Sequence, residues 1–193
     1  MSTAVLNDKT QSEAAVDDAA MYEIVYGRRV ELPPMSAYAS WIAFRLGKRM
    51  DIFAEEHSLG TVVTETLFIL DEANDVRRRP DVAFISAATW PLDRLPPEKG
   101  DWPVVPTLAV EVASPNDTLE ALLAKMREYF SFGVRQVWII IPGDRSAFIY
   151  TAPRNGKMLS INDDLDGGTL LPGFRMPLAT LFKNENASAE KTT

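Results

Sequence analysis

The chain has 193 residues, a hydrophobic fraction of 46% and a formal net charge of −7, which is typical of one globular domain with its own core. It contains no cysteine and a single histidine, so disulfide frameworks, thiolate zinc sites, cysteine nucleophiles and multi-histidine metal sites are excluded. The acidic charge argues against a strongly basic surface for nucleic acid. Any chemistry must therefore rest on carboxylates, lysines, arginines and hydroxyls.

The two ends of the chain differ from its middle. Residues 1–20 are acidic and alanine-rich without hydrophobic periodicity, so we expect a disordered tail. Residues 21–183 carry the patterns of a single domain, and residues 184–193 are expected to fray. The sequence has neither a signal-peptide pattern nor an apolar run of about 20 residues. We therefore expect a cytoplasmic location.

The first part of the domain predicts a hairpin, a helix and a strand. Residues 22–32 alternate around a glycine, which favours a hairpin. Ser36 is placed to cap a helix whose apolar residues recur every three or four positions. Residues 61–70 are rich in β-branched side chains and predict one strand that contains Glu65. We expect Glu65 to be a solvated strand residue, and the alternative is that it joins an acidic cluster.

The second part predicts a helix between buried strands. Residues 90–106 are proline-rich and lack a regular period, as a loop does. Asp117 as N-cap and Glu120 have the spacing of a capping box, which predicts that a helix starts there. An apolar strand follows at 134–141, another at 146–151, and Asn155-Gly156 suggests a hairpin turn. This order of elements predicts an α/β fold with a mixed β-sheet flanked by helices.

Two acidic residues belong to apolar strands in the middle of the chain. Asp81 lies near the start of the predicted strand 79–85, and Glu111 lies near the end of the strand 107–113. Because side chains alternate along a strand, Glu111 shares its face with two alanines, which leave a gap around the carboxylate. A buried carboxylate costs several kcal/mol unless it has a partner. A divalent cation shared with Asp81 is one such partner, and a lysine is another.

These acids and one lysine suit metal-assisted hydrolysis of a phosphodiester. Asp81 and Glu111 would hold Mg²⁺ or Mn²⁺ through the oxygen ligands that a hard cation prefers. Lys125 borders the apolar stripe of its helix, so its methylenes could run along apolar surface and carry the ammonium over the strand ends. There it would orient or deprotonate the attacking water, or stabilise developing charge. The alternative is an ordinary surface lysine.

Several motifs occur in a fixed order along the chain: Tyr22-Glu23-Ile24 and Gly27, Pro80-Asp81, Glu111-Val112-Ala113-Ser114-Pro115, Lys125 with Tyr129 and Gly133-Val134, and Leu171-Pro172-Gly173-Phe174. Together they resemble the Uma2 family of restriction-endonuclease-like proteins, part of the PD-(D/E)xK nuclease superfamily. The resemblance covers about residues 22–182. It implies a restriction-endonuclease-like core in which Asp81 and Glu111 are metal ligands and act in catalysis with Lys125. It also implies a nucleic-acid substrate, for which we expect DNA, and a homodimer that cuts both strands.

Two positions depart from the family pattern. The superfamily's lysine usually stands two residues after the second acid, where this chain has Ala113. Lys125 is therefore interpreted as a migrated lysine. Ile141 stands before Pro142 where relatives commonly have an aspartate, and we expect this to alter a turn rather than the chemistry.

Three functions stay open on the sequence alone. The leading hypothesis is a Mg²⁺-dependent nuclease in which Arg77, Arg78 and Arg79 contact phosphate beside the acids, although such a run is also typical of a solvated turn. The acidic charge and the alanine at position 113 favour a catalytically inactive nuclease fold that serves as a binding or regulatory module. Hydrolysis of a small phosphoester is the third possibility.

Overall fold

The structure is a computed structural model that describes residues 20–183. The tails predicted at 1–20 and 184–193 lie outside the described residues, apart from Ala20. The helices are α1 (Ala37–Glu56), α2 (Leu119–Ser131) and α3 (Leu178–Phe182). The strands are β1 (Tyr22–Val25), β2 (Arg28–Glu31), β3 (Gly60–Thr64), β4 (Phe68–Asp71), β5 (Val76–Arg78), β6 (Val82–Ser86), β7 (Leu108–Val112), β8 (Gln136–Ile141), β9 (Ser146–Ala152), β10 (Asn155–Leu159), β11 (Asp164–Asp166) and β12 (Arg175–Pro177).

A six-stranded mixed sheet forms the centre of the fold, with strand order β10-β9-β8-β7-β6-β3. Neighbouring strands are antiparallel except β7 and β8, which run parallel. A parallel pair needs a crossover connection, and α2 supplies it. The α/β class and the mixed sheet flanked by helices, both predicted from the sequence, are confirmed.

Strand alternation divides the apolar residues into two cores, one on each face of the main sheet. Leu108, Val110 and Val112 of β7 pack with α1 and α3 on one face. Ala109 packs with α2 on the other face. Glu111 alternates with these residues, so its side chain lies on the α2 face, as the period of two predicts.

A second, four-stranded sheet has the order β2-β1-β5-β4 and connects to the main sheet through residues 79–81. The single strand predicted at 61–70 is wrong, because the chain forms two strands that belong to different sheets. Glu65 separates them with φ 50°, outside the extended region that a strand requires. The strand predicted at 79–85 likewise starts only at Val82, since the preceding residues carry the chain between the sheets.

Two local details differ from the predictions. The N-cap of α2 is Thr118, whose side chain accepts from Ala121 N at 3.2 Å. Asp117 accepts instead from Ser114 N at 2.7 Å, closing the turn after β7. The predicted hairpin exists between β9 and β10, but Asn155 begins β10, so the turn precedes the Asn-Gly pair.

The remaining elements follow the sequence patterns. Ser36 caps α1 and accepts from Ala39 N at 3.2 Å. The segment 90–106 is a loop, anchored by buried Trp90 and Trp102, whose rings meet edge to face. Within residues 20–183, none of the helices combines the length and apolar character needed to cross a membrane.

Candidate active site

The first two site residues lie at the same end of two adjacent antiparallel strands. Asp81 immediately precedes β6, whose first residue, Val82, is opposite Val110 of β7, and Glu111 follows Val110 in β7. The Asp81 carboxylate accepts from the backbone N of Val112, which is next to Glu111. Both acids line one cavity of about 430 Å³ at this end of the strands.

Glu111 is buried and engaged by two donors from α2. Tyr129 donates its hydroxyl to Oε1 at 2.7 Å, and the Lys125 ammonium donates to Oε2 at 2.9 Å. Burial raises the pKa of Glu111 to about 7, although Lys125 lowers it and the nearby Asp81 carboxylate raises it further. Glu111 thus holds its proton more tightly than an ordinary glutamate, even with the Lys125 ammonium beside it.

Asp81 carries one engaged oxygen and one free oxygen. Its Oδ2 accepts from Val112 N at 2.5 Å, and no donor within residues 20–183 hydrogen-bonds to Oδ1. Burial raises the pKa of Asp81 to about 7, against the lowering effects of the Val112 amide and Lys125. The free oxygen lies on a residue that lines the cavity, where it is available to a ligand.

Lys125 reaches the acids from the middle of α2. One turn away on the same helix face lie Leu122 and Tyr129, both buried, which brings this face against the sheet. The Lys125 ammonium lies 2.9 Å from Glu111 Oε2 and 2.8 Å from Glu23 Oε1. Burial alone would lower the pKa of Lys125, but the two carboxylates hold it above its ordinary value. Lys125 is therefore a fixed ammonium ion at the site rather than a surface lysine.

Glu23, in β1, is a site residue that the sequence reasoning did not single out. Its side chain is buried, and it accepts from Arg78 at 2.6 Å and from Arg79 N at 3.0 Å in addition to its contact with Lys125. Burial would raise the pKa of Glu23, but Lys125 and Arg78 hold it below its ordinary value. Two features of the sequence point to it: it is an acid in a hairpin strand, and it belongs to the Tyr22-Glu23-Ile24 motif of the family pattern.

Glu65 also lines the cavity, at the break between β3 and β4. It is not the strand residue that the sequence predicted. Burial raises the pKa of Glu65, with Arg79 opposing and Glu111 adding to the shift, so Glu65 and Glu111 interact electrostatically. The Arg79 guanidinium donates to the backbone carbonyl of Glu65, which fixes the break beside the acids.

The three consecutive arginines have different surroundings. Arg77 pairs with Asp75 at 2.9 Å and Asp101 at 2.6 Å. Arg78 pairs with Glu23, and it meets both oxygens of Glu128 at 2.8 and 2.7 Å. Only Arg78 and Arg79 line the cavity. Of these two, Arg79 has a guanidinium that hydrogen-bonds to backbone carbonyls rather than to a carboxylate side chain.

The carboxylates of Asp81 and Glu111 fit a divalent cation whose remaining ligands are water and substrate phosphate. Within residues 20–183, no group of three or more acidic or histidine side chains is arranged to enclose a metal. Mg²⁺ is usually held by one or two carboxylates together with water and substrate phosphate rather than by an all-protein cage. Asp81 Oδ1 is free, and Glu111 has lone pairs beyond its two hydrogen bonds. These two acids would hold the ion.

The fold is shared with a solved nuclease-like structure. A crystal structure at 1.96 Å resolution, described as "a putative nuclease belonging to DUF820" from Anabaena variabilis ATCC 29413, is similar with a TM-score of 0.69 and 15% sequence identity. The similarity covers 83% of this chain and 89% of that one. At this identity, the likeness establishes the fold.

The family follows from the sequence itself. The family model of Uma2, described as "Putative restriction endonuclease", matches residues 10–179. The chain belongs to the Uma2 family, as its motifs predicted. No protein among the curated ones matches it.

Proposed function

We propose that this protein is a divalent-metal-dependent nuclease that hydrolyses phosphodiester bonds of nucleic acid, with DNA as the expected substrate. One observation carries the proposal: Asp81, Glu111 and Lys125 line the same cavity, with the Lys125 ammonium 2.9 Å from Glu111. Two carboxylates and one ammonium beside a cavity are the groups that metal-assisted phosphoryl chemistry uses. Membership of the Uma2 family supports the same activity.

Each residue would have a separate role. Asp81 and Glu111 would hold Mg²⁺ or Mn²⁺, which supplies a water of lowered pKa and neutralises phosphate charge. Lys125 would stabilise negative charge on the phosphate, because its neighbouring carboxylates keep it protonated. Glu65 would add negative potential from the cavity wall as an auxiliary acid. Among the three arginines, Arg79 is best placed for a phosphate contact.

The direct test is cleavage of single- and double-stranded DNA and of RNA by the full chain with Mg²⁺ or Mn²⁺. Asp81→Asn is the matched control, since the amide oxygen can still accept from Val112 N while the charge is removed. We expect ion-dependent cleavage by the wild type and none by the variant. Equal activity of both proteins would reject the proposal.

A non-cleaving binding or regulatory module is the second candidate. One observation favours it: both oxygens of Glu111 already have protein donors, so the site is partly neutralised without an ion. Calorimetric titration with Mg²⁺ separates the two candidates. A module of this kind would retain nucleic-acid binding while showing no ion binding that depends on Asp81.

Assembly is a related proposal. Cutting both strands of a duplex in one binding event needs two sites related by symmetry, and we propose a symmetric homodimer for this reason. Light scattering at micromolar concentration measures the mass directly. A monomer mass would contradict the dimer without affecting cleavage of a single strand.

A further inference from the structure

We infer that Glu23 is a positioning residue, which holds Lys125 in place when a divalent ion occupies Asp81 and Glu111. The inference rests on the proposed function for its catalytic consequence. Whether Glu23 holds Lys125 in place, as a second carboxylate beside Glu111, can be measured without a cleavage assay.

Glu23 is built into the fold as a fixed acceptor. Its side chain is only 3% exposed, and it receives three donors: the Lys125 ammonium at 2.8 Å, the Arg78 guanidinium at 2.6 Å and the Arg79 amide at 3.0 Å. Arg78 is itself fixed by a two-point contact with Glu128 of α2. A carboxylate restrained from both sides can determine where a flexible lysine chain ends.

The two anchors of Lys125 differ in what they face. Glu111 lines the cavity together with Asp81 and would share its oxygens with an ion, whereas Glu23 lies on β1 of the other sheet and pairs with arginine. An ion bound to Glu111 would repel the ammonium and compete for Oε2. With Glu111 alone, Lys125 would then be released. With Glu23 as second anchor, it stays beside the ion, where the phosphate arrives.

The test is the NMR signal of the Lys125 side-chain ammonium in ¹⁵N-lysine-labelled full-length protein, assigned by its absence in Lys125→Arg. A buried ammonium held by hydrogen bonds exchanges its protons slowly enough to be observed. In the wild type we expect the signal to be present without ion and to persist at saturating Mg²⁺. In Glu23→Gln we expect faster exchange without ion and loss of the signal with Mg²⁺.

Glu128→Gln is the matched control. It weakens the ion pair between Arg78 and Glu128 and leaves both carboxylates that contact Lys125 in place. Its ammonium signal should follow the wild type in both conditions. Loss of the signal in Glu128→Gln, its persistence in Glu23→Gln with Mg²⁺, or its loss in the wild type with Mg²⁺ would each overturn the inference. Backbone amide spectra verify folding, and Glu23→Asp, with a shorter arm and the charge kept, repeats the test if Glu23→Gln unfolds.

The outcome is independent of whether the protein cleaves. If calorimetry shows no Mg²⁺ binding, the proposed function fails, while the ion-free comparison of Glu23→Gln with the wild type still decides whether Glu23 anchors Lys125. If the protein does cleave, we expect Glu23→Gln to lower kcat about 10- to 100-fold with little change in KM, as for other residues that orient a functional group. An unchanged kcat would contradict the positioning role.

Discussion

The Lys125 ammonium lies 2.9 Å from Oε2 of Glu111, although the two residues are 14 positions apart and belong to different elements. The superfamily's usual lysine position, two residues after the second acid, is Ala113 in this chain. α2 packs on the face of the main sheet that carries Glu111, so the ammonium of Lys125 lies beside the Glu111 carboxylate. The migrated-lysine interpretation stays a proposal, and this short distance supports it.

Lys125→Ala is expected to abolish cleavage and to lower stability. It leaves the buried carboxylates of Glu23 and Glu111 without their shared cation, and breaking a buried ion pair from one side costs about 3–5 kcal/mol. Activity assays and thermal melts measure both effects. Lys48→Ala, on the exposed side of α1, is the control and should change neither.

Mg²⁺ should stabilise the Lys125→Ala variant more than it stabilises the wild type. In Lys125→Ala, a divalent ion replaces the missing positive charge, so Mg²⁺ should raise the melting temperature more than it does in the wild type. An equal shift in the two proteins would show that Lys125 and the ion do not share one site.

Ala113→Lys combined with Lys125→Ala should recover part of the activity, because Ala113, just after β7, packs on the same side of the sheet as α2.

Asp81 makes the stability of the ion-free protein depend on pH. Its pKa is raised to about 7, whereas aspartate in an unfolded chain has a pKa of about 3.9. The folded state binds more protons between these values, so the free energy of unfolding falls as pH rises from about 4 to about 7. Asp81→Asn removes this contribution and should be more stable than the wild type at about pH 8, by on the order of 1–3 kcal/mol.

Denaturant unfolding at a series of pH values, without divalent ions, measures this effect. Asp93→Asn, the same substitution at an exposed position, is the control variant. A wild-type stability that does not change across the window, or an Asp81→Asn variant that is less stable at every pH, would contradict the prediction.

Ion binding should become tighter as pH rises. Both Asp81 and Glu111 have pKa values raised to about 7 by burial, and a ligand carboxylate must lose its proton before it binds a cation. Affinity for Mg²⁺ or Mn²⁺ should rise from about pH 6 to about pH 8, with protons released on binding. Calorimetry in two buffers of different ionisation enthalpy counts these protons. Binding without proton release at about pH 6.5 would refute the prediction.

Tyr129→Phe should shift this dependence to higher pH. The Tyr129 hydroxyl donates to Glu111 Oε1 at 2.7 Å and lowers the pKa of that carboxyl. Removing the hydroxyl leaves the acceptor without its donor, at a cost of about 1–3 kcal/mol in stability. The midpoint of the pH dependence of ion binding should rise. Tyr150→Phe, at a half-buried ring, is the matched control.

Local patterns in the sequence determined much of the fold. Strand alternation placed Glu111 on the face opposite Leu108, Val110 and Val112, and the helical period placed Lys125 at the border of the buried stripe. These patterns work because neighbouring side chains in a strand or helix have fixed directions, whatever the rest of the chain does. The same local reading failed at Glu65, whose φ of 50° interrupts a stretch of strand-forming residues.

Only the tertiary structure decided which charges meet at the site. Glu23 and Arg78 are 55 residues apart, and Arg78 and Glu128 are 50 apart, so no spacing rule links them. Their pairing depends on how the four-stranded sheet docks beside α2, and that docking places the Glu23 carboxylate on Lys125. The sequence alone therefore identified Asp81, Glu111 and Lys125 as candidates and placed Glu111 on its strand and Lys125 on its helix. Burial and long-range packing determined their partners and their pKa values, because electrostatic interaction depends on distance in space.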